Sequence, residues 1–239
     1  MKFFTDRTVE NEYLLVKLVD YMKMKDFSQW KEVFIDPGVY DLVSSDEYFW
    51  FNKMWDHGMY DWIKNLPEDH YFSFDYPCDM NEKFTDLFLE KSWNNALKYH
   101  NLSQYIVTVQ SKFNHYWSFK EWFDRYNDLD IASGIMGVGN ICRIHYKTPY
   151  IKHCLPYAFK NCRHPRIHIY GLALRIIPYA YQLAKRYGIE LSIDSTKWTR
   201  PFWRCCYQHG LSRQELFDRY KEEIHSRINH QGIGGSVEE

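Results

Sequence analysis

The sequence predicts an α/β fold built on a parallel sheet, and three observations lead there. Short apolar runs rich in Val, Ile and Phe recur along the chain and read as buried strands. Their ends, at Asp36, Asp75, Gln110, the glycines near Gly137, Tyr170-Gly171 and Asp194, lie 24 to 39 residues apart, about what a strand, a helix and two loops require. Helical patterns fill the intervals, and such alternation implies right-handed crossovers between parallel strands. Six strands are recognisable. A (β/α)8 barrel needs two more, for which Phe3-Phe4 and the region around Phe202-Trp203 are candidates; an open doubly wound sheet is the alternative.

In chain order, Val33-Phe34-Ile35-Asp36 is the first clear strand, and Tyr71-Phe72-Ser73-Phe74-Asp75 the next. Lys83 to His100 then places Phe84, Leu87, Phe88, Trp93 and Leu97 at spacings of three and four, a helix with one apolar face. Tyr105-Ile106-Val107-Thr108-Val109 ends in Gln110, and Phe119 to Tyr126 is again helical. Ser133-Gly134-Ile135-Met136-Gly137-Val138-Gly139 reads as a glycine-rich loop. After His168-Ile169-Tyr170-Gly171, a helix over Ile176 to Tyr187 stops at Gly188, a C-cap signal. The last strand is Ile189 to Asp194, and Ser212-Arg213-Gln214-Glu215 opens a final helix with a capping box. These elements make one domain over residues 1–230, with the Gly-rich residues 231–239 expected to be a flexible tail.

At 45% hydrophobic and 26% charged residues, the composition is that of an ordinary globular protein. Aromatics are in excess, with 9 Trp, 20 Tyr and 16 Phe, and most of them belong in a core. The first residues carry no long apolar segment, and Ile167 to Ala184 is broken by Arg175 and Pro178, so neither a signal peptide nor a membrane span is expected. Six irregularly spaced Cys read as reduced thiols, and the expected location is the cytoplasm. The net charge of −1 conceals a marked asymmetry. Residues 1–140 hold 14 Lys and Arg against 23 Asp and Glu, whereas residues 141–204 hold 12 against 2. A basic segment of this kind points to a polyanionic partner, unless it pairs with the acidic segment across the fold.

The polar strand ends carry the chemistry. The carboxyl ends of parallel strands are where α/β barrels place reactive groups, and three acids with one amide suggest a shared pocket. Taken in order, the segments resemble the tRNA-guanine transglycosylase superfamily, a TIM-barrel group that exchanges guanine for 7-deazaguanines in nucleic acid. Val33-Phe34-Ile35-Asp36-Pro37-Gly38 is similar to its aspartate–Ser–Gly–Gly strand end, with Pro37 in place of the serine. Ser73-Phe74-Asp75-Tyr76-Pro77 resembles the strand with a base-recognising aspartate, and Val107-Thr108-Val109-Gln110 the family's Val-Gln strand end. Ser133 to Gly139 resembles the Gly-Gly-Leu-Ala-Val-Gly loop, and His168-Ile169-Tyr170-Gly171 the His-Leu-Phe-Gly of the archaeal branch. Ser192-Ile193-Asp194-Ser195-Thr196-Lys197-Trp198-Thr199-Arg200-Pro201 is similar to the segment with the nucleophilic aspartate. The match spans roughly residues 33–201 and is nearest to the compact, phage-type DNA-guanine transglycosylases.

The resemblance implies a TIM-type (β/α)8 barrel, compact and with irregular or missing elements. It implies that Asp194 is the nucleophile, Asp36 the acid/base group, and Asp75 and Gln110 the groups that bind the guanine-like ring. Main-chain groups from Gly134 through Met136 to Gly137 would add to the base contacts, and Tyr170 would stack on the ring. Lys197, Arg200 and Arg204 would hold phosphates, and Trp198 or Trp203 would fill the space left by a flipped guanine. The partners would be duplex DNA and a free 7-deazaguanine base. The family's zinc motif is absent as such; only Cys205, Cys206 and His209 are near, and no metal or other cofactor is expected. Base exchange at one face of a sugar suits a carboxylate nucleophile and two displacements, and needs neither ATP nor a redox cofactor.

Each residue also has a plainer reading. Asp194 could cap a helix, Asp36-Pro37-Gly38 is a good turn sequence, and Asp79 competes with Asp75. His168 is more readily a satisfied core histidine than a functional one. The competing functions are the same exchange on tRNA, a metal-dependent hydrolase with Asp36, Asp75 and Asp194 around a cation, and a nucleic-acid-binding barrel without chemistry.

Overall fold

The computed structural model describes residues 1–38, 58–78, 85–141, 149–194 and 210–231. It is a mixed α/β structure with eight strands and seven helices among those residues. The strands are β1 (Lys2–Phe4), β2 (Tyr13–Lys17), β3 (Glu32–Asp36), β4 (His70–Phe72), β5 (Val107–Val109), β6 (Ile135–Val138), β7 (Arg166–Ile169) and β8 (Glu190–Asp194). The helices are α1 (Leu18–Tyr21), α2 (Met59–Lys64), α3 (Thr85–Tyr99), α4 (Tyr116–Asn127), α5 (Pro149–Asn161), α6 (Ile177–Tyr187) and α7 (Arg213–Gln231).

Every pairing between these strands is parallel. One sheet runs β1-β8-β7-β6-β5, the other β2-β3-β4. The ladder is not continuous between them, but single parallel bridges, Thr5 to Leu14 and Phe72 to Tyr105, join β1 to β2 and β4 to β5. Parallel strands buried on both faces carry apolar residues on both, and these do, although one face also holds buried polar groups. One face contributes Phe4, Phe34, Ile106 and Ile135, with Tyr13, Leu15 and Tyr71 packed on them. Phe4 and Phe34 stack with centroids 3.9 Å apart. The other face, including Phe3, Val33, Ile35, Val107, Met136, Ile167 and Ile193, packs in the larger core with the helices. Phe3, for example, meets Phe217 and Tyr220 of α7 at 5.7 Å.

Local signals account for the helix ends. Gly188 adopts φ +67 and closes α6, whose last turn carries Lys185 and Arg186 where the helix dipole favours cations. The capping box opening α7 is formed: Ser212 N donates to Glu215 Oε2 at 2.7 Å, and Glu215 N to Ser212 Oγ at 3.3 Å. At α4 the capping group is His115, whose Nδ1 accepts from Ser118 N at 3.0 Å.

Two expectations need correction. Ser133 to Gly139 is not a loop: Ile135 to Val138 form β6, paired on both sides. The strand that sequence reasoning did not place is Tyr13–Lys17, paired with β3 over its full length. The candidate around Phe202-Trp203 lies outside the described residues, as does the tail beyond Gln231. No helix among the described residues is long and apolar enough to cross a membrane.

Candidate active site

Because strands are parallel, their carboxyl ends lie along one edge, and the polar residues there fall into two connected groups. The first is centred on Asp194, the last residue of β8, which is 8% exposed. Its Oδ1 accepts from His168 Nε2 at 3.2 Å and from the Gly171 main-chain N–H at 3.0 Å. The left-handed turn at Gly171, with φ +61, accompanies that N–H at the carboxylate. Among the described residues none hydrogen-bonds Oδ2. His168, on β7, is fully buried, and its Nδ1 meets Ser192 Oγ at 3.1 Å. Burial holds the His168 pKa below the usual imidazole range, against the opposing pull of Asp194.

Beneath this pair the strand interior is charged rather than apolar. Arg166 Nε donates to Ser192 Oγ at 3.0 Å, and its NH1 pairs with Glu32 Oε2 at 2.7 Å. Lys2 pairs with the same Glu32 carboxylate and with Glu190 at 3.0 Å. The guanidinium also lies 5.6 Å from the Phe4 ring centre and 5.2 Å from that of Phe34. A buried guanidinium is tolerable only with such partners.

The second group is centred on Asp75. Ser73 Oγ donates to its Oδ1 at 2.9 Å, and Gln110 Nε2 donates to its Oδ2. Ser73 Oγ also meets Thr108 Oγ1 at 2.7 Å, which in turn reaches the Tyr170 hydroxyl at 3.2 Å. Burial is the main cause that pushes Asp75 up to about 6; the hydrogen bonds from Ser73 and Gln110 oppose it, and the charge of Asp36 adds to it. Gln110 is buried, and its Oε1 has no hydrogen-bond partner among the described residues.

Tyr170 joins the two groups. Burial chiefly, then the charge of Asp75 and more weakly that of Asp194, raises its phenol far above the usual tyrosine range, so it stays protonated. Its ring packs edge-on to His168 with centroids 4.4 Å apart. Asp36 closes β3, and its Oδ1 accepts from Gly38 N at 2.8 Å, in a turn made possible by φ +75 at Gly38. Asp36 thus closes a turn, and its charge acts in the direction that raises Asp75.

The glycines divide. A Cβ at Gly137 would sit 2.5 Å from Thr108 Oγ1 and 2.8 Å from Tyr170, and one at Gly139 would sit 2.2 Å from Gln110 Nε2. Both are bare because neighbouring side chains of this cluster occupy the space. Gly134 precedes β6, aligned with the amino ends of β7 and β8, at the edge opposite Asp194. Met136 is fully buried and packs in the core shared with the helices. Neither belongs with the cluster, because a strand rather than a loop separates Gly134 from Gly139 and turns Met136 outward. Lys197, Arg200, Arg204, Trp198, Trp203, Asp79 and the set Cys205, Cys206 and His209 lie outside the described residues.

Sequence reasoning missed Ser73, Thr108 and Gly139 as members of the cluster, and weighed His168 toward the core. The signal was available: counting back by two from Asp75 and Gln110 puts Ser73 and Thr108 on the same strand face. Lys17 is a further exposed group at this edge, opposite Asp36 in the β2–β3 register. A surface cavity of about 460 Å3 lies elsewhere, between α3 and α4, bounded by Asp86, Lys112, His115, Trp117 and Arg125. It contains none of the strand-end acids. No protein-family model and no curated protein matches the sequence.

Proposed function

We propose that this protein is a (β/α)8-barrel transglycosylase that exchanges guanine in DNA for a 7-deazaguanine through a covalent bond between Asp194 and the sugar. The observation that carries the reading is Asp194 itself: a buried carboxylate with one oxygen held by two donors and the other unengaged among described groups, near an acid–amide pair suited to a guanine edge. Barrel closure has independent support in the strand register. Starting at Asp194 and stepping through β1, β2 and each later strand, with each register extended beyond its strand ends where needed, the path returns to the level of position 186, 8 residues short of its origin. Eight strands with a shear of 8 are the parameters of the TIM-type barrel.

In this reading Asp194 Oδ2 attacks C1′ of the nucleotide as the C1′–N9 bond breaks, and Asp36 supplies the proton that the departing guanine takes up. The incoming 7-deazaguanine reverses both events from the same face, so configuration is retained. Asp75 accepts from the ring N–H and exocyclic amine, and the unpartnered Gln110 Oε1 offers a second acceptor. Gly137 and Gly139 let Thr108, Tyr170 and Gln110 pack close against β6, which sets those side chains beside Asp75, and Tyr170 bounds the ring. Phosphate contacts are assigned to Lys197, Arg200 and Arg204 on the basis of the net basic segment alone.

The test is to incubate the protein with labelled guanine and duplex DNA, denature, and look for a protein–DNA adduct. The expected result is an adduct and base exchange, both lost in Asp194→Ala while DNA binding survives. Full exchange by Asp194→Ala sinks the nucleophile; an adduct with tRNA but not DNA moves the same chemistry to RNA. Binding without exchange by the intact protein leaves a non-catalytic binder.

A further inference from the structure

The buried polar groups beneath Asp194 form a line with one direction. Arg166 has only donors, so its Nε–H makes Ser192 Oγ an acceptor at 3.0 Å. The Ser192 hydroxyl hydrogen then goes to His168 Nδ1 at 3.1 Å in preference to the Ile167 carbonyl at 3.5 Å. With Nδ1 accepting, the ring proton belongs on Nε2, which faces Asp194 Oδ1 at 3.2 Å. The imidazole is enclosed by the Phe4, Phe34 and Tyr170 rings, with centroids at 5.7, 4.7 and 4.4 Å. The charged groups bearing on it are Asp194, Arg166 and Glu32.

We propose that His168 is the positioning residue of Asp194, and that Ser192 and Arg166 dictate which imidazole nitrogen carries the proton. The inference rests on Asp194 being the nucleophile. His168 touches neither sugar nor base, and passes no proton to either. It clamps Oδ1 together with the Gly171 N–H, so that the Oδ2 electron pair is the one aimed at C1′. When the Oδ2–C1′ bond forms and the C1′–N9 pair leaves on guanine, Oδ1 becomes the ester carbonyl oxygen under the same two donors. When the incoming base attacks C1′, the C1′–Oδ2 pair returns to the carboxylate and the clamp is unchanged. A neutral donor suits both directions, since a fixed cation would hold the carboxylate back from attack.

Two measurements on the full chain decide the matter. In the first, adduct formation with duplex DNA is timed in a single turnover for His168→Leu, His168→Gln and Ser192→Ala. Loss of a hydrogen bond to a charged group predicts a fall of about 10- to 100-fold for His168→Leu at unchanged DNA affinity. His168→Gln restores an N–H at the Nε2 position and is expected within about tenfold of the intact protein, while Ser192→Ala falls between. Equal rates for His168→Leu and the intact protein, or no advantage of Gln over Leu, overturn the positioning role. If His168→Leu does not fold, the Gln and Ala variants carry the same comparison.

The second measurement needs no activity: 15N-histidine NMR of the intact protein, with the His168 signal identified by its loss in His168→Gln. The expected spectrum has Nε2 protonated and Nδ1 bare from pH 6 to 8, and Ser192→Ala changes the tautomer ratio. A proton on Nδ1, or on both nitrogens, in the intact protein refutes the relay. An intact protein with the expected tautomer but no adduct refutes Asp194 as the nucleophile instead.

Discussion

Replacing Asp75 by Asn should make the protein more stable at neutral pH while abolishing base exchange. The carboxyl rises from 3.8 to about 6 in the fold, chiefly through burial. At 1.36 kcal/mol per tenfold in the proton equilibrium, ionised Asp75 costs the folded state roughly 3 kcal/mol, an upper value because part of the residue meets solvent. The sign follows from proton counting. Between pH 3.8 and about 6 the native state binds more protons than the unfolded chain, so this group removes stability as pH rises and has removed all it can above about pH 6. The amide cannot ionise, and its hydrogen bonds are recoverable. Its oxygen still accepts from Ser73, and its NH2 donates to Gln110 Oε1 once that side chain flips, giving a partner to an oxygen that has none among the described residues. Urea unfolding followed by fluorescence of the 9 Trp, from pH 4 to 8, reads the difference. Asp75→Asn should match the intact protein near pH 4 and exceed it by about 2 to 3 kcal/mol at pH 8. A difference that does not change with pH refutes the assignment of a strained, ionised carboxyl at this position.

Other outcomes follow from contacts in the same region. Gly139→Ala drives a methyl to 2.2 Å from Gln110 Nε2, so it should cost about 1–3 kcal/mol in unfolding and raise the KM for the incoming base by displacing that amide. Arg166→Met strands Glu32 with Lys2 as its remaining cation and should cost about 3 kcal/mol by thermal melting; adding Glu32→Gln should recover much of it. Phe34→Ala removes the ring stacked on Phe4 and should cost about 3–5 kcal/mol in urea unfolding, with the cavity at the centre of the strands. Tyr170→Phe should leave exchange within about tenfold, since the phenol contact to Thr108 is a neutral hydrogen bond and the ring is retained.

The residues at the strand ends are legible because apolar runs are conspicuous and an acid or amide at the end of one is anomalous. Asp36, Asp75, Gln110 and Asp194 were found this way, and the structure puts each at a strand's carboxyl end or just beyond it. β2 was harder, because Tyr13-Leu14-Leu15-Val16 sits among charges and two leucines favour a helix as readily as a strand. β6 was read as a loop because three glycines over Gly134 to Gly139 look like a turn, whereas two of them are bare to admit Gln110, Thr108 and Tyr170. The charged interior was illegible for a different reason. Lys2, Glu32, Arg166 and Glu190 each look like solvated residues at a strand start, and only the register reveals that Lys2 and Arg166 converge on the Glu32 carboxylate, with Glu190 paired to Lys2. Arg166 also qualifies the inference from charge asymmetry, since one member of the basic segment is spent inside the fold.

The pairing of β1 with β8 sets when the surroundings of the Asp194 carboxylate can form. Phe4 lies opposite Asp194, so contacts 190 residues apart in sequence must close before that carboxylate is framed. A nascent chain emerging from the ribosome can assemble β1 beside β2 and then β3 to β7, while the other side of β1 waits for β8, which is not yet synthesised. Asp194 therefore meets Phe4 in the same late step that joins β8 to β1, and partly made chains lack that frame.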